Sequence, residues 1–185
     1  MDQLSIEFSA FKALDSAMGI EHSILSSKDV ESNISALTEF CSQHSWEISY
    51  SDKKESQYHN KVISLYQSRR REILYYIFLH EVGHAWLLEC DFTYAERYPE
   101  LVRTPLRYAT VTYKIAKVQE EIEAWEVGRR LAKSMGLNIN QSKFEKIRAE
   151  SLSTYMNWAG RPRKRNNGTK PNTTSISDSI QKSGR

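Results

Sequence analysis

Cysteine is scarce in this chain, and long apolar runs are missing. Cys41 and Cys90 are the two cysteines, too few and too far apart for a disulfide framework or a Cys-x-x-Cys metal site. We therefore expect a reducing, cytoplasmic compartment. The longest apolar run, residues 73–79, has seven residues, whereas a membrane-spanning helix needs about 20. Residues 1–10 lack a basic region followed by an apolar stretch, so we expect no secretion signal.

Charge is unevenly distributed along the 185 residues. The formal net charge is +3, but residues 160–185 alone contain seven lysines and arginines and a single aspartate. The remainder is slightly acidic, which argues against a nucleic-acid-binding core, whereas the basic end leaves open a weak contact with nucleic-acid phosphates. This end also has almost no apolar content. We predict one domain over residues 1–159 and a basic, disordered tail over residues 160–185.

Hydrophobic periodicity predicts a helix-rich α+β domain. Apolar residues recur at helical spacing over residues 4–18, 26–44, 73–84 and 141–158, and Pro105 suits the first turn of a further helix that ends near Met135. Alternating patterns at residues 46–50 and 61–66 predict two short strands, which we expect to pair as a hairpin. We predict a turn at residues 51–56 and an irregular segment at residues 91–104. The small sheet therefore precedes the helix that contains residues 80–84.

Residues 80–84 spell H-E-V-G-H, an H-E-x-x-H pattern at the end of the apolar run. On a helix, His80 and His84 share one face with Cβ atoms about 5–6 Å apart, so both imidazoles can reach one ion. A shuffled chain of this composition would contain the pattern in only about one case in a hundred. The alternative is a buried helix with chance polar residues, but the pattern favours a zinc site.

A catalytic zinc site needs a third protein ligand and keeps a position for water. With Val118 at the centre of a helix face, Glu121 falls on the apolar stripe of residues 117–132, whereas Glu120 and Glu123 point away from it and are expected to be solvated charges. A carboxylate on an apolar stripe is costly unless it is paired or bound to metal, so we predict Glu121 as the third ligand. Glu120 or Glu123 replaces it if the helix register shifts. The alternative salt-bridge partners of Glu121 are Arg107 and Arg129.

Glu81 directly follows His80, so it lies near the ion but is badly placed to bind it together with both histidines. We predict that it faces the metal-bound water, whose pKa zinc lowers to about 7, and acts as the general base. Gly83 has no side chain, which indicates that another segment packs against it. No pattern selects a donor for the transition state. The tyrosine candidates are Tyr94, Tyr98, Tyr108 and Tyr113.

The segments H-E-V-G-H at 80–84 and E-I-E-A at 121–124 resemble the gluzincin-type zinc metallopeptidases, in particular the small single-domain ImmA/IrrE-like peptidases with H-E-x-G-H and a later E-x-E-A-N-x-F-A. The resemblance covers roughly residues 46–135. It implies a zincin-like fold and one zinc ion per chain, with the family's ligands at His80, His84 and Glu121 and its general base at Glu81. It also implies an edge strand for an extended peptide, here residues 61–66. Trp125 departs from the pattern, because the family usually has Asn or Asp there to support a ligand histidine.

The leading hypothesis is a zinc-dependent endopeptidase that hydrolyses one or a few protein or peptide substrates, with no membrane partner. A second hypothesis is a DNA-associated protease of the SprT-like kind that uses the basic tail. Its third ligand is usually histidine, however, and no histidine follows His84. A third is a non-catalytic zincin-fold protein that binds a partner or regulator through its cleft.

Overall fold

The computed structural model describes residues 25–52, 56–67, 70–103 and 110–161. Within these ranges the chain forms six helices and one three-stranded sheet, which confirms the helix-rich α+β class. The predicted helix over residues 4–18, Pro105 and the tail beyond Arg161 lie outside the described residues. The elements, in chain order, are α1 Ser27–Gln43, β1 Glu47–Ser51, β2 Gln57–His59, β3 Val62–Tyr66, α2 Arg71–Cys90, α3 Tyr94–Arg97, α4 Pro99–Arg103, α5 Val111–Ser134 and α6 Gln141–Gly160.

Polar side chains fix where α1, α5 and α6 begin. Before α1, the hydroxyl of Ser26 accepts from the Asp29 backbone N–H at 3.2 Å, and the Asp29 carboxylate accepts from the Ser26 N–H at 3.1 Å. This reciprocal capping box satisfies two backbone donors that the helix would otherwise leave open. Thr110 caps α5 through its hydroxyl, so the helix begins at Val111 and not near Pro105 as predicted.

The sheet differs from the predicted hairpin. β3 lies in the centre, pairs in parallel with β1 and pairs antiparallel with β2. The tight hairpin joins β2 to β3, where Asn60 and Lys61 adopt φ values of 49° and 63°, the left-handed conformation that a two-residue type I′ loop requires. β2 has only three residues, too short for an alternating pattern to be detected. Residues 62–66 therefore form the central strand, and the edge strands are β1 and β2.

Helix α2 runs through the middle of the core. It contacts α1, the sheet, α5 and α6, and most of its length is therefore buried. No helix in the described ranges is long and apolar enough to cross a membrane. The buried apolar residues of α2 are Leu74, Tyr75, Tyr76, Phe78, Leu79, Val82, Ala85 and Leu87.

Two glycines allow α2 and α5 to touch backbone to backbone. A Cβ atom added to Gly83 would lie 2.0 Å from the carbonyl oxygen of Ala124, and one added to Gly128 would lie 2.3 Å from that of Leu79. Because residue numbers rise along one helix as they fall along the other, the two helices cross antiparallel. The segment predicted to pack against Gly83 is thus α5, and the close crossing brings residues 120–125 beside residues 80–84.

We expect alanine at either glycine to destabilise the fold by about 1–3 kcal/mol, because the added methyl group would overlap a backbone carbonyl that cannot move alone. Urea unfolding of Gly83→Ala and Gly128→Ala, followed by circular dichroism, measures this loss. Gly160→Ala is the matched control, since its added Cβ has nothing within 4 Å. A Gly83→Ala variant as stable as the control would contradict the close crossing.

Candidate metal centre

One carboxylate oxygen and two imidazole nitrogens meet between α2 and α5. The Nε2 atoms of His80 and His84 are 3.1 Å apart, and Glu121 Oε2 lies 3.2 Å from the first and 3.4 Å from the second. Tetrahedral zinc with bonds of about 2.0–2.2 Å holds its ligand atoms about 3.3–3.6 Å apart. The three atoms therefore form a triangle of about the size of one face of such a site. All three side chains are buried.

The unpaired carboxylate oxygen of Glu121 is consistent with a cation bound between these three residues. Within the described part of the chain, the buried atoms Glu121 Oε2 and His80 Nδ1 have no hydrogen-bond partner. Leaving a buried carboxylate oxygen unsatisfied is costly, and a divalent ion facing Oε2 and both Nε2 atoms would satisfy all three. His80, His84 and Glu121 thus form a group that could hold a metal ion.

The electrostatics of the three candidate ligands differ. Burial lowers the pKa of His80 to about 4, so its imidazole is neutral, which is the form that binds metals. Burial alone would also lower the pKa of His84, but the charges of Glu120 and Glu121 outweigh it and raise that pKa to about 10. Burial would raise the pKa of Glu121, whereas the two nearby histidines and the charge of Lys117 hold it below the usual range. Metal binding would therefore displace a proton from His84.

Glu120 supports His84 from the side opposite the candidate metal position. The Nδ1–H of His84 donates to Glu120 Oε1 at 2.8 Å, because a carboxylate at that position can only accept. The Lys117 ammonium donates to Glu120 Oε2 at 2.6 Å. A carboxylate on the far nitrogen of a ligand histidine fixes its ring and raises its basicity. Glu120 thus supplies to His84 the kind of support that the resemblance assigned to an Asn or Asp at position 125.

The prediction that Glu120 points to solvent was wrong, since only 2% of the residue is exposed. Helix α5 is covered both by α2 and by α6, so its buried arc is wider than one apolar stripe. Glu120 lies in line with three small buried residues at a spacing of four, Ala116, Ala124 and Gly128. That row of small residues was the sequence signal that a second face of α5 is buried.

Trp125 orients His80 by ring packing. Its fully buried ring stacks on the His80 imidazole with centroids 4.4 Å apart and planes 17° from parallel. The Trp125 ring also packs edge to face against the ring of Phe144 from α6, with centroids 5.4 Å apart. Within the described ranges His80 Nδ1 has no hydrogen-bond partner, so the ring of His80 is oriented by packing against Trp125, which Phe144 supports in turn.

A cavity of about 580 Å³ opens beside the candidate ligands, and Glu81 lines it. Only 5% of Glu81 is exposed, and burial raises its pKa to about 7. A carboxyl group with that pKa can both accept and return a proton near neutral pH. Across the cavity lie residues of β2 and of α6, namely Gln57, Tyr58, Thr154 and Tyr155.

Three tyrosines line this cavity, Tyr58, Tyr94 and Tyr155, and the sequence indicated only one of them as a donor candidate. Tyr94 is one of the predicted donor candidates, whereas Tyr155 on α6 was missed because its position had been assigned to packing. Burial, together with the charge of nearby Glu121, raises the pKa of Tyr155, so its hydroxyl keeps its proton and can donate. Tyr98 donates instead to Glu123 at 2.5 Å. Of the remaining candidates, Tyr113 is not among the cavity's lining residues, and Tyr108 lies outside the described residues.

The structure does not place Glu123 among the candidate ligands or Arg129 beside Glu121. Glu123 accepts from Arg97, outside the cavity. Arg129 pairs with Glu126 and Glu145. The cation that pairs with Glu121 is Lys117, at 2.9 Å. Arg107 lies outside the described residues.

Comparison with protein families, with curated proteins and with solved structures gave no match for this chain. The geometry of His80, His84 and Glu121 alone indicates a metal centre.

Proposed function

We propose that this chain is a zinc-dependent endopeptidase of the gluzincin type with a zincin-like fold. The observation that carries the proposal is the triangle of Nε2, Nε2 and Oε2 atoms, 3.1–3.4 Å on a side, next to the buried carboxyl of Glu81 in one cavity. A zinc ion held by His80, His84 and Glu121 would supply an acidified water and polarise the scissile carbonyl.

The protein's own residues would move the protons. Glu81 accepts a proton from the attacking water and returns it to the departing amine, a role that suits a carboxyl whose pKa burial raises to about 7. Tyr94 and Tyr155 line the same cavity. Their hydroxyl groups remain protonated and can donate to the oxygen on which negative charge develops.

Strand β2 is the best candidate for binding the substrate backbone. It is an edge strand, and Gln57 and Tyr58 line the cavity. The Tyr58 hydroxyl donates to Glu89 of α2 at 2.7 Å, which ties the strand to the helix that carries the histidines. An extended peptide that adds to this edge would use main-chain hydrogen bonds for affinity. The edge role that the resemblance placed at residues 61–66 thus moves to residues 57–59.

The full chain should bind one zinc ion and cleave an unfolded protein such as casein, with products identified by mass spectrometry. The chelator o-phenanthroline should abolish cleavage, added zinc should restore it, and the non-chelating m-phenanthroline should leave it unchanged. The reason is that only a bound ion makes water acidic enough for Glu81 to deprotonate near neutral pH. A chain that binds no zinc, or that cleaves equally well with chelator, would rule the proposal out.

A further inference from the structure

The two carboxylate oxygens of Glu121 have different neighbours. Oε2 faces the Nε2 atoms of His80 and His84 at 3.2 and 3.4 Å. Oε1 instead accepts from the ammonium group of Lys117 at 2.9 Å. One oxygen is thus directed to the candidate metal position, and the other is held away from it.

Lys117 holds a second buried carboxylate at the same time. Its Nζ donates to Glu120 Oε2 at 2.6 Å, and the other oxygen of Glu120 holds His84 Nδ1. Glu120 and Glu121 are adjacent in the chain and only 2% and 1% exposed, so their charges would repel strongly without a cation between them. Spacings of three and four residues on one helix turn let a single lysine reach both.

The position of Lys117 is itself confined. Its side chain is 29% exposed, and its Nζ lies over the ring of Tyr155 at 6.0 Å from the centroid, so α6 limits where the ammonium can go. It is also the only lysine or arginine among the described residues that line the cavity. No other lysine or arginine among the described cavity residues can take its place on Glu121.

We propose that Lys117 is a positioning residue that restricts Glu121 to binding the ion through Oε2 alone. The inference rests on the proposed zinc centre and adds how that centre keeps a coordination position open. A Glu121 that turned both oxygens to the ion would add a fifth donor beside the water and fill the position that a catalytic zinc needs when it expands to five-coordinate in the transition state. Because Lys117 also orients Glu120, one ammonium group sets the geometry of both the carboxylate ligand and the support of His84.

The test uses the full chain loaded with cobalt(II), whose visible bands are intense at four-coordinate sites and weak at five-coordinate ones. Wild type should show the intense bands. Lys117→Met should still bind cobalt, show the weak bands, and have a kcat/KM about 10- to 100-fold lower in the zinc form. Lys117→Arg, which keeps the charge and two donors, should restore the intense bands. Lys114→Met is the matched control, because Lys114 lies on the same helix but binds the carbonyl oxygens of Ala159 and Arg161.

X-ray absorption of the zinc-loaded wild type gives a second measurement that does not depend on the folding of a variant. It should show a four-coordinate ion, and a carboxylate bound through both oxygens would overturn the inference. An unchanged cobalt spectrum in Lys117→Met would overturn it as well, while cleavage by wild type would leave the proposed function standing. A wild-type chain that binds neither metal would overturn both.

Discussion

Replacing Glu81 by glutamine is expected to lower peptide cleavage by about 10²- to 10⁴-fold, the usual contribution of a positioned general base. The amide of glutamine has nearly the shape of the carboxyl group but cannot accept the proton of the attacking water. Glu81 has the location that this role needs, because it is buried, lines the cavity and follows the candidate ligand His80. Zinc binding should persist, since Glu81 is not one of the three residues that surround the candidate metal position.

The measurement is the cleavage rate of zinc-loaded Glu81→Gln next to its zinc stoichiometry. Glu72→Gln is the matched control, because Glu72 lies in the first turn of the same helix and pairs with Lys143 at 2.6 Å, outside the cavity. Cleavage by Glu81→Gln at the wild-type rate would exclude Glu81 as the base. If wild type does not cleave and Glu81→Gln keeps a partner-binding activity that His84→Ala loses, the non-catalytic hypothesis would be the better account.

Local patterns in the sequence predicted the parts of the candidate site that depend on a single helix. The spacing of His80 and His84 places both on one face of α2 wherever that helix sits in the fold. Glu121 was selected because a carboxylate on an apolar stripe needs a partner, and the structure places its Oε2 beside both histidines. Gly83 predicted a close neighbour for the same kind of reason: a missing side chain on a buried helix leaves room for another backbone.

The parts that the sequence did not predict depend on contacts between elements. Glu120 was assigned to solvent because a single stripe was assumed, whereas α5 is covered on two sides. Strand β2 was missed because three residues are too few to show an alternating pattern. Since β2 forms the hairpin with β3, β1 pairs with β3 in parallel and not as the expected hairpin. Tyr155 reaches the cavity only because α6 packs across α5. Periodicity along one helix contains no information on which other helix covers it.

Replacing Glu121 by glutamine is expected to abolish tight zinc binding, because the neutral amide removes the only charged ligand of the three. The loss should exceed the roughly 10–100-fold that follows removal of an outer-shell partner. Glu120→Gln should show the smaller loss of zinc affinity, because Glu120 accepts from His84 Nδ1 at 2.8 Å but is not one of the three candidate ligands. The two substitutions are chemically identical and one residue apart, so they separate ligation from support.

Competition with a chromophoric chelator measures the zinc affinity of both variants. Glu126→Gln is the control, because this residue lies on the same helix but pairs with Arg129 and Arg148 away from the cavity. Its zinc affinity should equal that of wild type. If Glu120→Gln loses zinc completely while Glu121→Gln retains it, the third ligand is Glu120. Glu120 would then bind the ion and not His84 Nδ1. Equal and small effects of both would mean that the ion is held elsewhere, because a centre built from two histidines needs a third protein ligand to hold zinc tightly with one position left for water.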